Sequence, residues 1–145
     1  MTIRPATVDD APTVAELVRA LLTELGGMSA DLETVARDVL AREDRVVGFL
    51  ALEDGQAVGV ILLSEGYAMF ALGAFGQITE LYVRPEQRST GVAKRLLAQA
   101  VAHGRERGWR RIDVGAPPQP QWVRTVAFYK SNGFTEVGPR LKIVL

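Results

Sequence analysis

The residues best equipped for chemistry in this sequence are Arg88-Ser89-Thr90-Gly91-Val92-Ala93, which lie between a strand-like run and a helix-like run. At such a junction the unpaired backbone N–H groups of a helix start and the positive end of its dipole converge, which is the natural seat of an anion. Gly91 gives an incoming oxygen room to approach the backbone, and Ala93 is too small to block it. Ser89 and Thr90 offer hydroxyl donors, and Arg88 offers a charge-assisted contact. That set suits a pyrophosphate. No Gly-Lys-Ser/Thr follows Gly91, so the segment is not a P-loop, and the G-x-G-x-x-G triplet of dinucleotide folds is absent. By itself the segment reads more readily as an ordinary loop before an amphipathic helix.

Composition removes many other chemistries. The chain has 145 residues, no cysteine and a single histidine, His103. Disulfide scaffolds, thiol nucleophiles, zinc fingers and serine-histidine triads are thereby excluded or nearly so, and no metal is expected. His103 reads as a surface side chain of the helix that follows the loop. Seventeen basic and seventeen acidic residues cancel, so no global field draws nucleic acid or an anionic membrane. Residues 1–10 carry no apolar signal region, and no run approaches the roughly 20 apolar residues needed to span a bilayer, so a cytoplasmic location is expected. With 48% hydrophobic residues, the chain has enough apolar side chains for one domain, 1–145, with its own core.

Several elements must position that loop. Thr7 and Asp10 have the spacing of a helix start. Ala11, Val14, Leu17, Val18, Leu21, Leu22 and Leu25 continue a helix that Gly26-Gly27 stops. A shorter helix, with Ser29 as its cap, spans about Asp31 to Ala41. Val46–Leu52 and Ala57–Leu63 flank Asp54-Gly55, a strong hairpin signal, and a loop follows near Ser64 to Gly66. Gln77–Val83 reads as a strand ended by Arg84-Pro85. Gly91–Arg107 reads as a helix with Val92, Leu96, Leu97 and Ala100 on its buried face, closed by Gly108. A short strand at Arg111–Val114, a proline-rich connector at Ala116–Pro120, a helix at Trp122–Asn132 and closing strands within Thr135–Leu145 complete the chain. The order βααβββαβαββ argues for one α/β (α+β) fold, a mixed sheet of six to seven strands flanked by four helices.

Leu81-Tyr82-Val83-Arg84-Pro85-Glu86-Gln87-Arg88-Ser89-Thr90-Gly91-Val92-Ala93, followed by Leu96-Leu97, resembles the GNAT motif that ends in R-x-x-G-x-G/A. Some 35 residues on, Ala127-Phe128-Tyr129-Lys130-Ser131-Asn132-Gly133-Phe134 resembles that family's second motif, A-x-x-F-Y-x-x-x-G-F, shortened by two residues. The resemblance implies the GNAT fold and transfer of an acetyl group from acetyl-CoA to a primary amine of a small molecule, by direct attack in a ternary complex. A protein or peptide amine is the alternative acceptor, and a CoA-binding sensor without catalysis is the alternative role.

Carried onto this chain, the resemblance gives the Leu81-Tyr82-Val83 strand to the pantetheine arm, through the backbone at Leu81 and Val83. It gives the amides from Arg88 to Ala93 to the pyrophosphate. Tyr129 takes the place of the tyrosine that lies near the cofactor sulfur and protonates the departing thiolate. Arg124 stands where relatives carry asparagine, and its reach is to a phosphate instead. A base must take a proton from the incoming ammonium. Glu80 is the candidate, directly or through water, because strand alternation sets it on the face of Ile78 and Tyr82, away from Leu81 and Val83. Where some relatives place a base further upstream, this chain has Gln77.

The acceptor side is implied at Glu24 to Ser29 and Ser64 to Gly76. There Tyr67, Phe70 and Phe75 are expected as an apolar wall, Glu24, Glu65 and Glu80 as acidic points for a cation, and Trp122 as a rim residue. The family's habit of pairing through sheet edges or helices adds a homodimer to the expected partners.

Overall fold

The computed structural model describes residues 1–27, 30–116 and 122–145. Two units emerge, Met1–Asp113 and Val114–Leu145, and each has its own internal order.

In the first unit, β1 (Thr2–Pro5) leads through one 3-10 turn at Val8–Asp10 into α1 (Ala11–Glu24). The Asp10 carboxylate accepts the Thr7 N–H and holds both Arg4 amino groups at 2.8 Å, which fixes the entry angle of the helix. Gly26 and Gly27 end the turn after α1 at φ 123° and 89°, where a side chain would be strained. α2 spans Leu32–Leu40 and is capped by Asp31, which accepts the Thr34 N–H; the expected cap, Ser29, lies outside the described residues.

β2 (Val46–Glu53) and β3 (Gln56–Ala68) form the expected hairpin, with Asp54 and Gly55 both at positive φ, 50° and 79°. β3 does not stop at a loop near Ser64. It runs on to Ala68 and turns through residues 69–72 into β4 (Gly73–Val83), so both strands are longer than their sequence suggested. The reason is pairing. Ser64, Glu65 and Gly66 find partners in Gln77, Gly76 and Phe75, and a paired backbone overrides weak local propensity.

α3 (Val92–Arg107) crosses over to β5 (Ile112–Val114), giving the sheet order β1-β2-β3-β4-β5. The first four strands are antiparallel. Arg110 N–H donates to Ala74 O and Gly76 N–H to Arg111 O, contacts that advance in the same direction along both strands, so β5 runs parallel to β4. One sheet face, with Leu50, Val60, Leu62 and Tyr82, packs on Val14, Leu17, Leu32 and Leu40 of α1 and α2. The other carries Ile61, Leu63 and Gly59, whose missing side chain leaves room for Val92 and Leu96 of α3.

In the second unit, α4 (Val123–Ser131) is closed by Gly133 at φ 95°. The expected closing strands do not form: among the described residues Thr135 to Leu145 makes no ladder, and the sheet has five strands rather than six to seven. Gly138 at φ 135° and Pro139, which has no N–H to donate, interrupt the run. Val137, Leu141, Ile143, Val144 and Leu145 are left exposed. Among the described residues no helix is long and apolar enough to cross a membrane.

Candidate functional site

The site begins with an irregularity in β4. Leu62 pairs with Glu80 and Leu63 with Ile78, so Thr79 is an extra residue, a β-bulge. Directly paired residues share a face. Glu80 therefore joins Leu62, Val60 and Tyr82 on the α1/α2 side, while Ile78 joins Leu63 on the α3 side. The expectation held for Tyr82 and failed for Ile78, because the bulge reverses the alternation between them. Glu80 is among the residues that line a cavity of about 60 Å³ between α1, α2 and the sheet, and its Oε1 accepts a hydrogen bond from the Thr79 hydroxyl at 2.6 Å.

Beyond the bulge, the Arg84 N–H donates inward to Val58 O, so the alternation of a strand turns the backbone groups of Val83 and Leu81 outward, away from β3. Three residues of β5, starting beside Gly76, do not extend that far. Tyr82 lies between them with its backbone toward β3 and its side chain in the α1/α2 core.

The strand exits through a 3-10 turn at Pro85–Gln87 into the anion loop. Ser89 sits at φ 67° and Gly91 at φ 88°, two left-handed residues around Thr90 that curl the backbone just before a 16-residue helix. The first N–H of α3 with a helical acceptor is Arg95, on Gly91 O, so the amides of Val92, Ala93 and Lys94 have no intrahelical partner. Among the described residues no backbone carbonyl takes the amides of Ser89, Thr90 or Gly91 either. Beyond Gly91 itself and its two chain neighbours, no atom lies within 4 Å of where a Gly91 Cβ would be.

Two of the expected donors have partners within the chain. The Arg88 amide closes the 3-10 turn on Pro85 O, so the open row of amides starts at Ser89. The Arg88 guanidinium turns away to α1: it holds both oxygens of Glu24 at 3.0 and 2.8 Å, donates Nε to Val83 O, and lies 5.4 Å from the Tyr82 ring centre. A carboxylate within reach outcompetes solvent for it. The Thr90 hydroxyl donates to Gln87 O and is likewise used internally. What remains is a cradle of backbone amides, which fits a pyrophosphate without side-chain cations.

The acidic points do not converge. Glu24 belongs to Arg88. Glu65 is buried on the α3 side, where Arg107 (2.9 and 2.7 Å), the Trp109 indole and the Tyr67 hydroxyl all donate to it. Arg107 first, then Trp109 and Tyr67, pull its pKa down to about 2 against the cost of burial. Tyr67 and Phe70 stand exposed near the β3–β4 tip, and Phe75 packs on Phe70 at 5.5 Å, so they form no wall beside Glu80. His103 is not a free surface residue: it is half-buried between Phe49 (6.1 Å) and Trp109 (5.4 Å), and burial lowers its pKa.

In the second unit, Tyr129 is the buried residue of α4, packed edge-on against Phe128 and Phe134 at 5.3 and 5.2 Å. Burial pushes its phenol up to about 12, so it keeps its proton at any ordinary pH. Arg124 is exposed on the first turn of the same helix, and Trp122 is its half-buried N-cap. Most of the proline-rich connector lies outside the described residues. Sequence reasoning missed Thr79, which has no signature as a bulge, and Lys94, whose amide extends the cradle by one residue.

The profile of the acetyltransferase (GNAT) family matches residues 14–134. Among curated proteins, the chain is 28% identical over 125 residues to glucosamine 6-phosphate N-acetyltransferase 1 of Oryza sativa subsp. japonica, covering 86% of this chain and 66% of that one. It is 31% identical over 106 residues to aminoalkylphosphonate N-acetyltransferase of Salmonella typhimurium, covering 73% and 68%. Its fold superposes with a TM-score of 0.81 on a predicted acetyltransferase with acetyl-CoA from Clostridium acetobutylicum, at 21% identity over 99% of this chain and 95% of that one.

Proposed function

Because the chain belongs to the acetyltransferase (GNAT) family and is thereby an acyltransferase, we propose that it moves an acetyl group from acetyl-CoA to a primary amine of a small molecule, by direct attack in a ternary complex. Residues 1–145 act as one such domain, a reading supported by a family match that runs through both units. The observation that carries the proposal is the row of open amides from Ser89 to Lys94, entered from a strand whose backbone faces outward at Leu81 and Val83.

In this reading the amides of Ser89, Thr90, Gly91, Val92 and Ala93 bind the pyrophosphate, and the helix dipole of α3 adds roughly 0.3–1 kcal/mol per favourable charge. The Leu81 and Val83 backbones bind the pantetheine arm as an added strand. Val83 O is held by Arg88 Nε, so the arm has to share or displace that contact. Arg124 reaches a phosphate from α4.

Acetyl-CoA supplies the acetyl group as a thioester. Glu80, on the α1/α2 side, takes the proton of the incoming ammonium directly or through water, leaving a neutral nitrogen to attack. Tyr129, with its proton secured by burial, donates to the departing sulfur. The relatives named above suggest amines that carry a phosphorus oxyanion as acceptors.

Thiol release from acetyl-CoA tests the proposal, measured over amines, polyamines, aminoglycosides, amino acids and peptides with the wild type and Tyr129→Phe. Amine-dependent release that drops about 10²-fold or more in the variant is expected. Unchanged turnover in Tyr129→Phe removes the acid assignment. Release with peptides alone moves the acceptor to proteins, and CoA binding without release leaves a sensor.

A further inference from the structure

Arg88 stands where β4, the anion loop and α1 meet. Its Nε donates to Val83 O at 2.9 Å, at the outward-facing end of β4, and its Nη2 holds both oxygens of Glu24, the last residue of α1, at 3.0 and 2.8 Å. The guanidinium also lies against the Tyr82 ring, so a carbonyl, a carboxylate and an aromatic face fix it in one place. Arg84, an earlier cation of the same segment, is taken by Glu16 and Ala57 O, which leaves Arg88 as the ion partner of Glu24 among the described residues. Side-chain exposures of 45% and 32% put the pair at the surface, where such pairs are weak enough for a ligand to open. Just beyond Glu24, Gly26 and Gly27 take φ 123° and 89°, with no atom outside their own chain neighbours within 4 Å of where a Cβ would stand. The chain has room to change course there.

We infer that the Arg88–Glu24 pair is a latch on the cofactor strand, which CoA opens and to which the end of α1 responds. The inference rests on the reading of Val83 as a contact of the pantetheine arm. An arm that adds to β4 as a strand brings an amide N–H to the carbonyl that Arg88 Nε holds, and the two donors compete for it. Displacing Nε also loosens the grip on Glu24, because both contacts belong to one rigid planar group. Cofactor binding is thereby carried to Glu24, Gly26 and Gly27, the turn that the family resemblance gives to the acceptor side. Arg88 and Glu24 are positioning residues in this scheme, acting through Val83 and α1.

The test follows CoA binding by calorimetry and by amide shifts of a ¹⁵N-labelled sample, in the wild type and in the double variant Glu24→Gln/Arg88→Met. The variant removes one charge of each sign, so the net charge facing the phosphates is unchanged, and a thermal melt checks that it folds. In the wild type, the amides of Gly26 and Gly27 should shift over the same CoA concentrations as those of Ser89 to Lys94. In the variant Val83 O is already free, so CoA should bind about threefold tighter or more, and the Gly26 and Gly27 shifts should fall below about a third of their wild-type size. Cradle amides that move while Gly26 and Gly27 stay still overturn the inference and leave the CoA reading intact. Equal or weaker binding by the folded variant, or Gly26 and Gly27 shifts that persist in it, likewise overturns the latch. The wild-type titration decides the matter if the variant does not fold. A wild type that binds no CoA overturns both.

Discussion

Thr79 is one residue too many for a regular ladder, and that surplus keeps Ile78 and Glu80, two positions apart, on opposite faces. Deleting Thr79 would leave both pairings, Leu63 with Ile78 and Leu62 with Glu80, so Glu80 would keep the α1/α2 face and a Thr79 deletion should retain the activity that Glu80→Gln loses. For Glu80→Gln, kcat should fall by about 10²–10⁴-fold while CoA affinity, measured by calorimetry, stays within about twofold. A loss of CoA affinity equal to the loss of kcat would place Glu80 in the wrong role. Tyr129 makes a separate statement in pH. Its phenol, pushed up to about 12, should impose no alkaline fall in kcat below about pH 10. A fall centred near 10 that disappears in Tyr129→Phe would show the ring to be less shielded than its packing indicates. Ser89 occupies a left-handed conformation that costs a residue with a side chain about 1–2 kcal/mol. Ser89→Gly should therefore raise stability to urea slightly and keep CoA binding. At this scale residue types read more easily than directions: the open backbone at Gly91 was legible, whereas the partnering of Arg88 with Glu24, 64 positions away, left no local trace.

At the scale of elements, Trp109 shows how the crossover is fixed. Its ring lies against both Gly76 of β4 and Gly104 of α3, and a Cβ on Gly104 would stand 2.6 Å from the ring edge. Gly104→Ala should lower stability by about 1–3 kcal/mol in urea unfolding, through overpacking. A neutral result would mean the ring can shift without cost, and with it the end of α3. Trp109 also donates to Glu65, so the same ring ties β3, β4 and α3 together. The helices were legible because Leu17, Leu32 and Leu96 recur at helical spacing, and the first hairpin because Asp54-Gly55 needs positive φ. The second hairpin was legible only as an apolar run around Tyr67 to Phe75 that reads as hairpin and core, since its turn, Met69-Phe70-Ala71-Leu72, has no turn residue and puts Leu72 at φ 61°. The apolar residues after Gly133 looked like strands, but alternation alone supplies no pairing partner, and Gly138-Pro139 breaks the run.

Across the whole molecule, equal numbers of acidic and basic residues leave stability in acid to a few well-placed carboxyls. Asp10, held by Arg4 and the Thr7 amide, and Glu65, held by Arg107, have pKa values of about 2 against ordinary values of 3.8 and 4.5. Each binds its proton more tightly in the unfolded chain, so its contribution is complete above about pH 5 and is lost as pH falls toward 2. Melting temperature should drop across that window, and less steeply in Glu65→Gln, which starts from a lower value. The same slope in both proteins would remove Glu65 from the account. The proposed function rests on one arrangement, a backbone cradle at the start of α3 for the pyrophosphate of CoA. Amide chemical shifts in a ¹⁵N-labelled sample titrated with CoA test it most directly. The account predicts the largest changes at Ser89, Thr90, Gly91, Val92, Ala93 and Lys94, with Leu81 and Val83 next. Saturable binding that leaves those amides unmoved would contradict it.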